Sequence, residues 1–454
     1  MEKYSKLGNE PIDKLLLTMA LSACTGMLTI MLYNTVDTIF IGHFVGSQGI
    51  AATTISYPIN MLLPTIGMAI GSGAGSLIAH NLGKKNVEQA RSFFGNAFTL
   101  ALALCSLFSG LCYLLKGMIL TAFGATGETL AMATGYYQIT LIGMPFLGSW
   151  MSMNQMLRGE GLARLAVNSM LLSSLLNIVL DALFIAWFDM GINGAALATV
   201  ISQVTGWCFS VSIFLRKQSA MRMKMKYFVW KKARLVRTLA LGGTSFGWQA
   251  SEAALLILLN KVLLQHGGPM MLAAYGIINR LQTLMVVPAI GLNQSFIPIA
   301  AYNFGAQKYG RVVSAFIKTI VYGLIGSYTL VAIVWTFPEF FVGWFTQEKA
   351  LIDLTVNGLL FVIVCLPLIM LQTTGAAYFQ ALGQSLSGLL MTISRQMILL
   401  VPLLLILPSV YGTDGIWLSF PLANGLIALF TVTIFIPVLR TLGRKEAAIP
   451  LPGS

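Results

Sequence analysis

Residues 165–187 read LAVNSMLLSSLLNIVLDALFIAW, twenty-three positions with a single charge, Asp181. A helix of that length rises about 35 Å, enough to cross a hydrocarbon core about 30 Å thick. The segment is continuously apolar and too long for a barrel strand, whose side chains would alternate with period two. Similar segments cover roughly 13–37, 50–78, 93–115, 132–157, 193–215, 238–261, 272–301, 313–337, 351–377, 385–408 and 415–439. Together they predict an all-α membrane protein with twelve transmembrane helices.

Composition agrees. Of 454 residues, 57% are hydrophobic and 9% charged, with a mean hydropathy of +0.80. Soluble domains carry about 25% charged residues, so this chain cannot coat a water-facing surface. A cytosolic enzyme, a nucleic-acid binder and a disordered protein are excluded. The five cysteines (Cys24, Cys105, Cys112, Cys208, Cys365) lie in apolar stretches without metal-type spacing and read as small buried residues. His43, His80 and His266 are far apart, so neither a metal centre nor a catalytic histidine cluster is expected. The first apolar stretch outruns a signal-peptide core and reads as a retained span.

The net charge of +13 reads as topology. Termini and even-numbered connections hold twenty-two Lys and Arg, whereas the opposite side holds only Lys116, Lys261 and Lys349. Positive residues collect on the cytoplasmic side, so both termini of this multi-pass protein are expected there. Nine of the cations fall in residues 216–237, near the midpoint. That divides the chain into an N-terminal lobe (1–216), a basic cytoplasmic linker (217–237) and a C-terminal lobe (238–454). The linker reads as a positive-inside tether, with contact to anionic lipid as the other reading.

The lobes repeat. At an offset of 222 residues Ala51-Ala52 answers Ala273-Ala274, NLGKKN (81–86) meets NFGAQK (303–308), Pro145 answers Pro367, and Gly161 answers Gly383. Six spans per copy give both copies the same orientation. Two pseudo-two-fold-related six-helix lobes should therefore surround a central cavity, an arrangement suited to a rocking transporter.

Charges inside spans cost about 2.5–3.5 kcal/mol each on insertion scales, which makes them the first functional candidates. Asp37 closes the first span. Asn177 and Asp181, four apart, share a face of the fifth, and Thr199 lies on the sixth. Counted from span ends, all four fall within roughly 15 Å of the outer face. Two carboxylates, an amide oxygen and a hydroxyl suit a hard cation, and two close carboxylates could share a proton. The plainer reading is a pair of near-interface acids facing water. Glu252 and Arg280 have similar depths on the seventh and eighth spans, as a structural or a gating ion pair would. Arg395, midway along the eleventh, has no acidic partner identifiable from sequence and could line the cavity. Glu160, in the turn MLRGEGLAR (156–164), is expected to be a surface acid.

In YNTVDTIFIG (33–42), the paired loops NLGKKN and YNFGAQKYG, the LRGEG turn with its FQALGQ counterpart, and LNIVLDALFI (176–185), the chain resembles the multidrug and toxic compound extrusion (MATE) family over essentially its whole length. That resemblance implies an antiporter, not an enzyme, exporting hydrophobic and often cationic drugs in exchange for H⁺ or Na⁺ and needing no other cofactor; nothing in the sequence demands more than a monomer. Its partners would be those small molecules and membrane lipid, with no nucleic acid and no bound metal centre. Asp37, Asn177, Asp181 and Thr199 match the N-lobe cation site of one branch. Glu252 matches an acid of another branch, but the partner acid sought on the tenth helix is missing from LPLIMLQTTG (366–375). A flippase for a lipid-linked or other amphiphilic metabolite is the alternative, and it would favour more deep bases than Arg280 and Arg395. A passive channel or an embedded enzyme fits less well, because the polar residues cluster in one lobe and no span carries a catalytic motif.

Overall fold

A computed structural model of the protein describes residues 2–216 and 218–447. Lys217 of the linker and the terminal residues from 448 onward lie outside the described residues. After a short helix α1 (Glu2–Asn9) come α2 (Ile12–Phe44), α3 (Ser47–Gly83), α4 (Val87–Leu114), the short α5 (Lys116–Ala122) and α6 (Gly127–Gly159). Next are α7 (Ala163–Asp181), a π-helical turn (Ala182–Trp187) and α8 (Gly191–Leu215). The second half holds α9 (Lys232–Gly305), α10 (Tyr309–Thr336), α11 (Pro338–Gly343), α12 (Lys349–Val364) and α13 (Ile369–Ala381). It ends with α14 (Ser385–Ile393), a π-helical turn (Ser394–Leu400) and α15 (Val401–Ala447).

Among the described residues, nine continuous helical stretches are long and apolar enough to cross a membrane. Two of them are double. The 74-residue α9 reverses at Gly268, with φ 69°, and α15 reverses at Gly412, with φ 59°. Both angles lie where a side chain would be strained and glycine is not. Those two turns give eleven crossings, and the 33-residue α6 is the twelfth. At Pro367 the chain leaves α12 through a single 3₁₀ turn before α13 begins, because proline withholds a helix N–H. Its counterpart Pro145 is accommodated within a continuous α6.

The chain packs as two compact units. Of the described residues, the first gathers 2–6 and 22–243, the second 7–21 and 244–447. In the first unit, α3 is pressed against α6 through Gly67, Gly71 and Gly75, where an added Cβ would meet the backbone of Gly148, Ser152 and Gln155. Small residues permit such contact, and without a hydrophobic drive between helices in lipid it is close packing that holds them. In the second unit, the Asp13 carboxylate accepts from Lys318 Nζ and from Tyr322 Oη, each at 2.6 Å. Asn303 donates to the Leu7 carbonyl at 2.9 Å and Arg311 to that of Glu10 at 2.7 Å. The N-terminal part of α2 thus packs with the second unit and the remainder of α2 with the first.

The repeat is visible bond by bond. Asn81 donates to the Leu77 carbonyl and Asn303 to that of Ile299, at 2.7 and 2.8 Å. Lys85 and Gln307 both take positive φ, 59° and 60°. After α6, Gly161 N donates to Arg158 and Leu162 N to Leu157. After α13, Gly383 N donates to Gln380 and Gln384 N to Phe379. Each pair closes a helix end with a left-handed glycine, as a Schellman cap requires.

Candidate functional site

In the first unit, α2, α7 and α8 bring the four sequence candidates to one region. Asn177 and Asp181 occupy the last buried turn of α7, with 2% and 0% of their surfaces exposed. Their face is polar throughout, since Ser169 and Ser173 precede them at four-residue spacing and are also buried. Immediately after Asp181 the helix widens into the π turn Ala182–Trp187, a distortion that often accompanies functional positions.

Between α7 and α8 lies a cleft lined by Tyr33, Ser173, Ser174, Asn177, Thr199, Ser202 and Gln203, with ≈ 170 Å³ of empty space, its mouth included. Ser173 donates to the Ser202 carbonyl at 2.8 Å. Both carboxylate oxygens of Asp181, both amide atoms of Asn177, Oδ1 of Asp37 and Oε1 of Gln203 are buried without a hydrogen-bond partner. Asp37 lies within Coulombic reach of Asp181, and the buried Tyr136, like Tyr33, is in the field of both acids. Buried polar atoms are nearly always paired, so six such atoms in one region leave that many donors and acceptors that a water, a proton or an ion would satisfy.

The sequence reading missed Tyr33, Tyr136, Ser173, Ser174, Ser202 and Gln203. Tyr33 stands four residues before Asp37 and Ser173 four before Asn177, so helical spacing was the available signal.

In the second unit the Glu252–Arg280 pair is not formed. The Glu252 carboxylate accepts from Gln396 Nε2, while the Arg280 guanidinium lies 5.9 Å from the Phe345 ring centroid. The amide of Gln396 is carried to Glu252 by the π turn Ser394–Leu400, and Arg280 is free to settle on an aromatic face. Arg395, on the same turn, is 7% exposed. It donates to Asn424 Oδ1 at 3.4 Å and feels the Glu252 charge, an acid that sequence alone did not assign to it. At the repeat offset Arg395 stands where Ser173 stands in the first unit, and after the one-residue slip marked by Gly191 and Gly412 Asn424 stands where Gln203 does. Gln372, in the stretch without a carboxylate, is buried and donates to the carbonyls of Met391 and Thr392 at 2.5 and 3.1 Å. Its amide ties α13 to α14.

Glu160 is not a surface acid. Only 3% of it is exposed, because linker residues fifty-nine and sixty positions later fold back on it. Ser219 Oγ donates to its carboxylate at 2.5 Å and Ala220 N donates to the other oxygen.

Twelve helical crossings built as two copies of one unit, with unpaired carboxylates held in the apolar interior of one copy, define a polytopic membrane transporter. The chain belongs to the MatE family, whose model matches residues 23–183 and, a second time, 246–406. It is 29% identical over 431 residues to the "Multidrug export protein MepA" of Staphylococcus aureus (strain MRSA252), covering 93% of each chain. To the MepA of Staphylococcus saprophyticus it is 29% identical over 90% of each. Among solved structures it is similar to a MATE protein in a bent conformation, 25% identical with a TM-score of 0.92, covering 99% of this chain and 100% of that one. It is also similar to an outward-facing multidrug resistance MATE transporter, 24% identical with a TM-score of 0.90, covering 98% and 99%. These structural likenesses carry the fold.

Proposed function

We propose that this chain is an inner-membrane multidrug exporter that releases hydrophobic, often cationic compounds outward in exchange for H⁺ or Na⁺. Multidrug export follows the MepA relatives. Cation exchange rests on one observation: Asp37, Asn177 and Asp181 hold five buried polar atoms without protein partners. Carboxylates are expensive inside a membrane, and an unpaired buried charge more so. A group that repeatedly captures and releases a cation accounts for acids in such a place. Asn177 and Thr199 would supply neutral oxygens, and Tyr33 a hydroxyl at the cleft wall.

The cation can drive export only by binding the protein's two transport states unequally, and drug and cation then affect each other reciprocally. Asp37 and Asp181 are the groups assigned that difference. The distribution of Lys and Arg supports a reading with both termini and the linker on the cytoplasmic side, the two repeats as the lobes that exchange access and a monomer as the working form. The decisive experiment uses proteoliposomes loaded with a fluorescent cationic drug. Export is measured under a pH gradient alone and then under a sodium gradient alone. Export under neither gradient overturns the assignment.

A further inference from the structure

The basic connection between the repeats is neither a loose tether nor a buried element. Side chains of the first unit, buried Glu160 and Asn96 among them, hold its backbone. Beside the Glu160 contacts, Arg91 Nε donates to the Ala220 carbonyl at 2.8 Å. Asn96 serves the strap three times, donating Nδ2 to the Tyr227 and Val229 carbonyls at 3.1 and 2.9 Å and accepting from Lys231 N at 3.0 Å. Tyr227 Oη donates to Glu88 at 2.7 Å and Trp230 Nε1 to Thr99 Oγ1 at 2.8 Å. Gly95 makes room, since a Cβ there would collide with the Tyr227 carbonyl oxygen.

So fixed, the strap presents an unusual outer face. Arg216 to Arg237 contains no acidic residue. Arg222, Lys224, Lys231, Lys232 and Arg237 are exposed, and among the described residues the run's one ion pair is Lys226 with Glu88 at 3.3 Å. Among these cations stand apolar side chains that a water-facing loop would hide. Met225 is 81% exposed, Val229 61% and Trp230 53%, although the Trp230 indole N–H is anchored. Clustered cations beside an apolar and aromatic edge match the boundary between headgroups and acyl chains: phosphates meet the Lys and Arg, and the interface takes Met and Trp.

We propose that residues 222–232 form a preformed docking surface for anionic phospholipid headgroups of the adjoining leaflet, with Met225, Val229 and Trp230 dipping into the lipid beneath them. Glu160, Asn96, Glu88 and Thr99 fix the strap beforehand, so lipid binding need not order it. This surface is separate from the acids of α2 and α7, and its test does not depend on their role.

The test reconstitutes the full chain in phosphatidylcholine vesicles holding about one-fifth phosphatidylglycerol, with brominated chains on either one lipid or the other. The difference between the native chain and Trp230→Phe isolates the Trp230 emission. At equal mole fraction, brominated phosphatidylglycerol should quench Trp230 about twofold more than brominated phosphatidylcholine, and the preference should vanish near 1 M salt, where screening reaches about 3 Å. It should also vanish when Arg222, Lys224, Lys231 and Lys232 are changed to Gln. Equal quenching by the two lipids, as a surface built for a soluble polyanion would give, overturns the proposal. So does a preference that survives salt. The salt series on total tryptophan emission of the native chain decides the matter if the variants fail to fold.

Discussion

Asp181 stands one turn of α7 beyond Asn177, and all four of their terminal polar atoms are buried without a hydrogen-bond partner. An amide and a carboxylate at this spacing could each have been satisfied by the neighbouring helix, as Ser173 is by the Ser202 carbonyl. Their unpaired state gives Asp181→Asn a definite outcome. Export driven by an ion gradient should fall more than about tenfold, equivalent to ~1.4 kcal/mol of lost differential binding. Thermal stability should hold or rise, because an unpaired buried charge is removed. Asp37→Asn should behave alike. Wild-type export by either variant in proteoliposomes would remove the carboxylates from the coupling step.

Thr199 and Asn177 offer neutral oxygens, so their loss should act by degree. Thr199→Val keeps shape and removes the hydroxyl. The half-saturating cation concentration for export should rise several-fold while the maximal rate at saturating cation is retained, since a net hydrogen-bond-scale contact is worth about 1 kcal/mol. An unchanged half-saturation would mean that the hydroxyl at the cleft wall serves only α8.

Much of this was legible in the chain. Helix count follows from apolar length, which the bilayer imposes directly, and the repeat follows from loops such as NLGKKN and NFGAQK, whose hydrogen bonds recur in both copies. The carboxylates were conspicuous because their surroundings are apolar. What could not be read is pairing between distant segments. Gln396 reaches Glu252 across 144 residues, and a neutral amide is not an evident partner for an acid when an arginine lies at matching depth. The burial of Glu160 depends on the linker folding back. A run rich in lysine and arginine gives no sign of that return, since the contacts are made by Ser219 Oγ and a backbone N–H.

The Glu160 contact carries its own prediction. Glu160→Gln keeps the size but removes the charge and one acceptor, leaving either Ser219 Oγ or Ala220 N poorly served. Charge-assisted hydrogen bonds of this kind contribute about 1.5–3 kcal/mol. The melting temperature of purified protein should therefore drop by several degrees, and proteolysis between Ser219 and Lys232 should accelerate. Unchanged cleavage would show that Asn96 and Arg91 hold the strap without the acid.

Arg280 and Glu252 provide a contrast between a pair assumed from depth and contacts made by geometry. Arg280→Gln removes a guanidinium from the Phe345 face, an exposed cation–π contact worth about 0.5–1 kcal/mol. Glu252→Ala strips the Gln396 amide of its acceptor and leaves Arg395 without its nearby acid. A double-mutant cycle in thermal stability should give a coupling near zero for Glu252 with Arg280 and a clear coupling for Glu252 with Gln396. The reverse ranking would restore the ion pair.

The helix caps test the repeat energetically. Gly161 and Gly383 hold φ of 84° and 83° and close α6 and α13 with the same two backbone bonds. Any L side chain at that angle is strained by about 1–2 kcal/mol. Gly161→Ala and Gly383→Ala should thus destabilise by similar amounts, and the double variant by roughly their sum, because the caps lie in different units and share no partner. A Cβ at neither position is strained by angle more than the other, so a large asymmetry in melting temperature would have to come from packing. Beside the first cap, Glu160 holds the strap through Ser219 and Ala220. Combining Gly161→Ala with Glu160→Gln then separates the causes: additive losses leave the caps equivalent, whereas a sub-additive loss shows that the strap and the first cap act as a single structure.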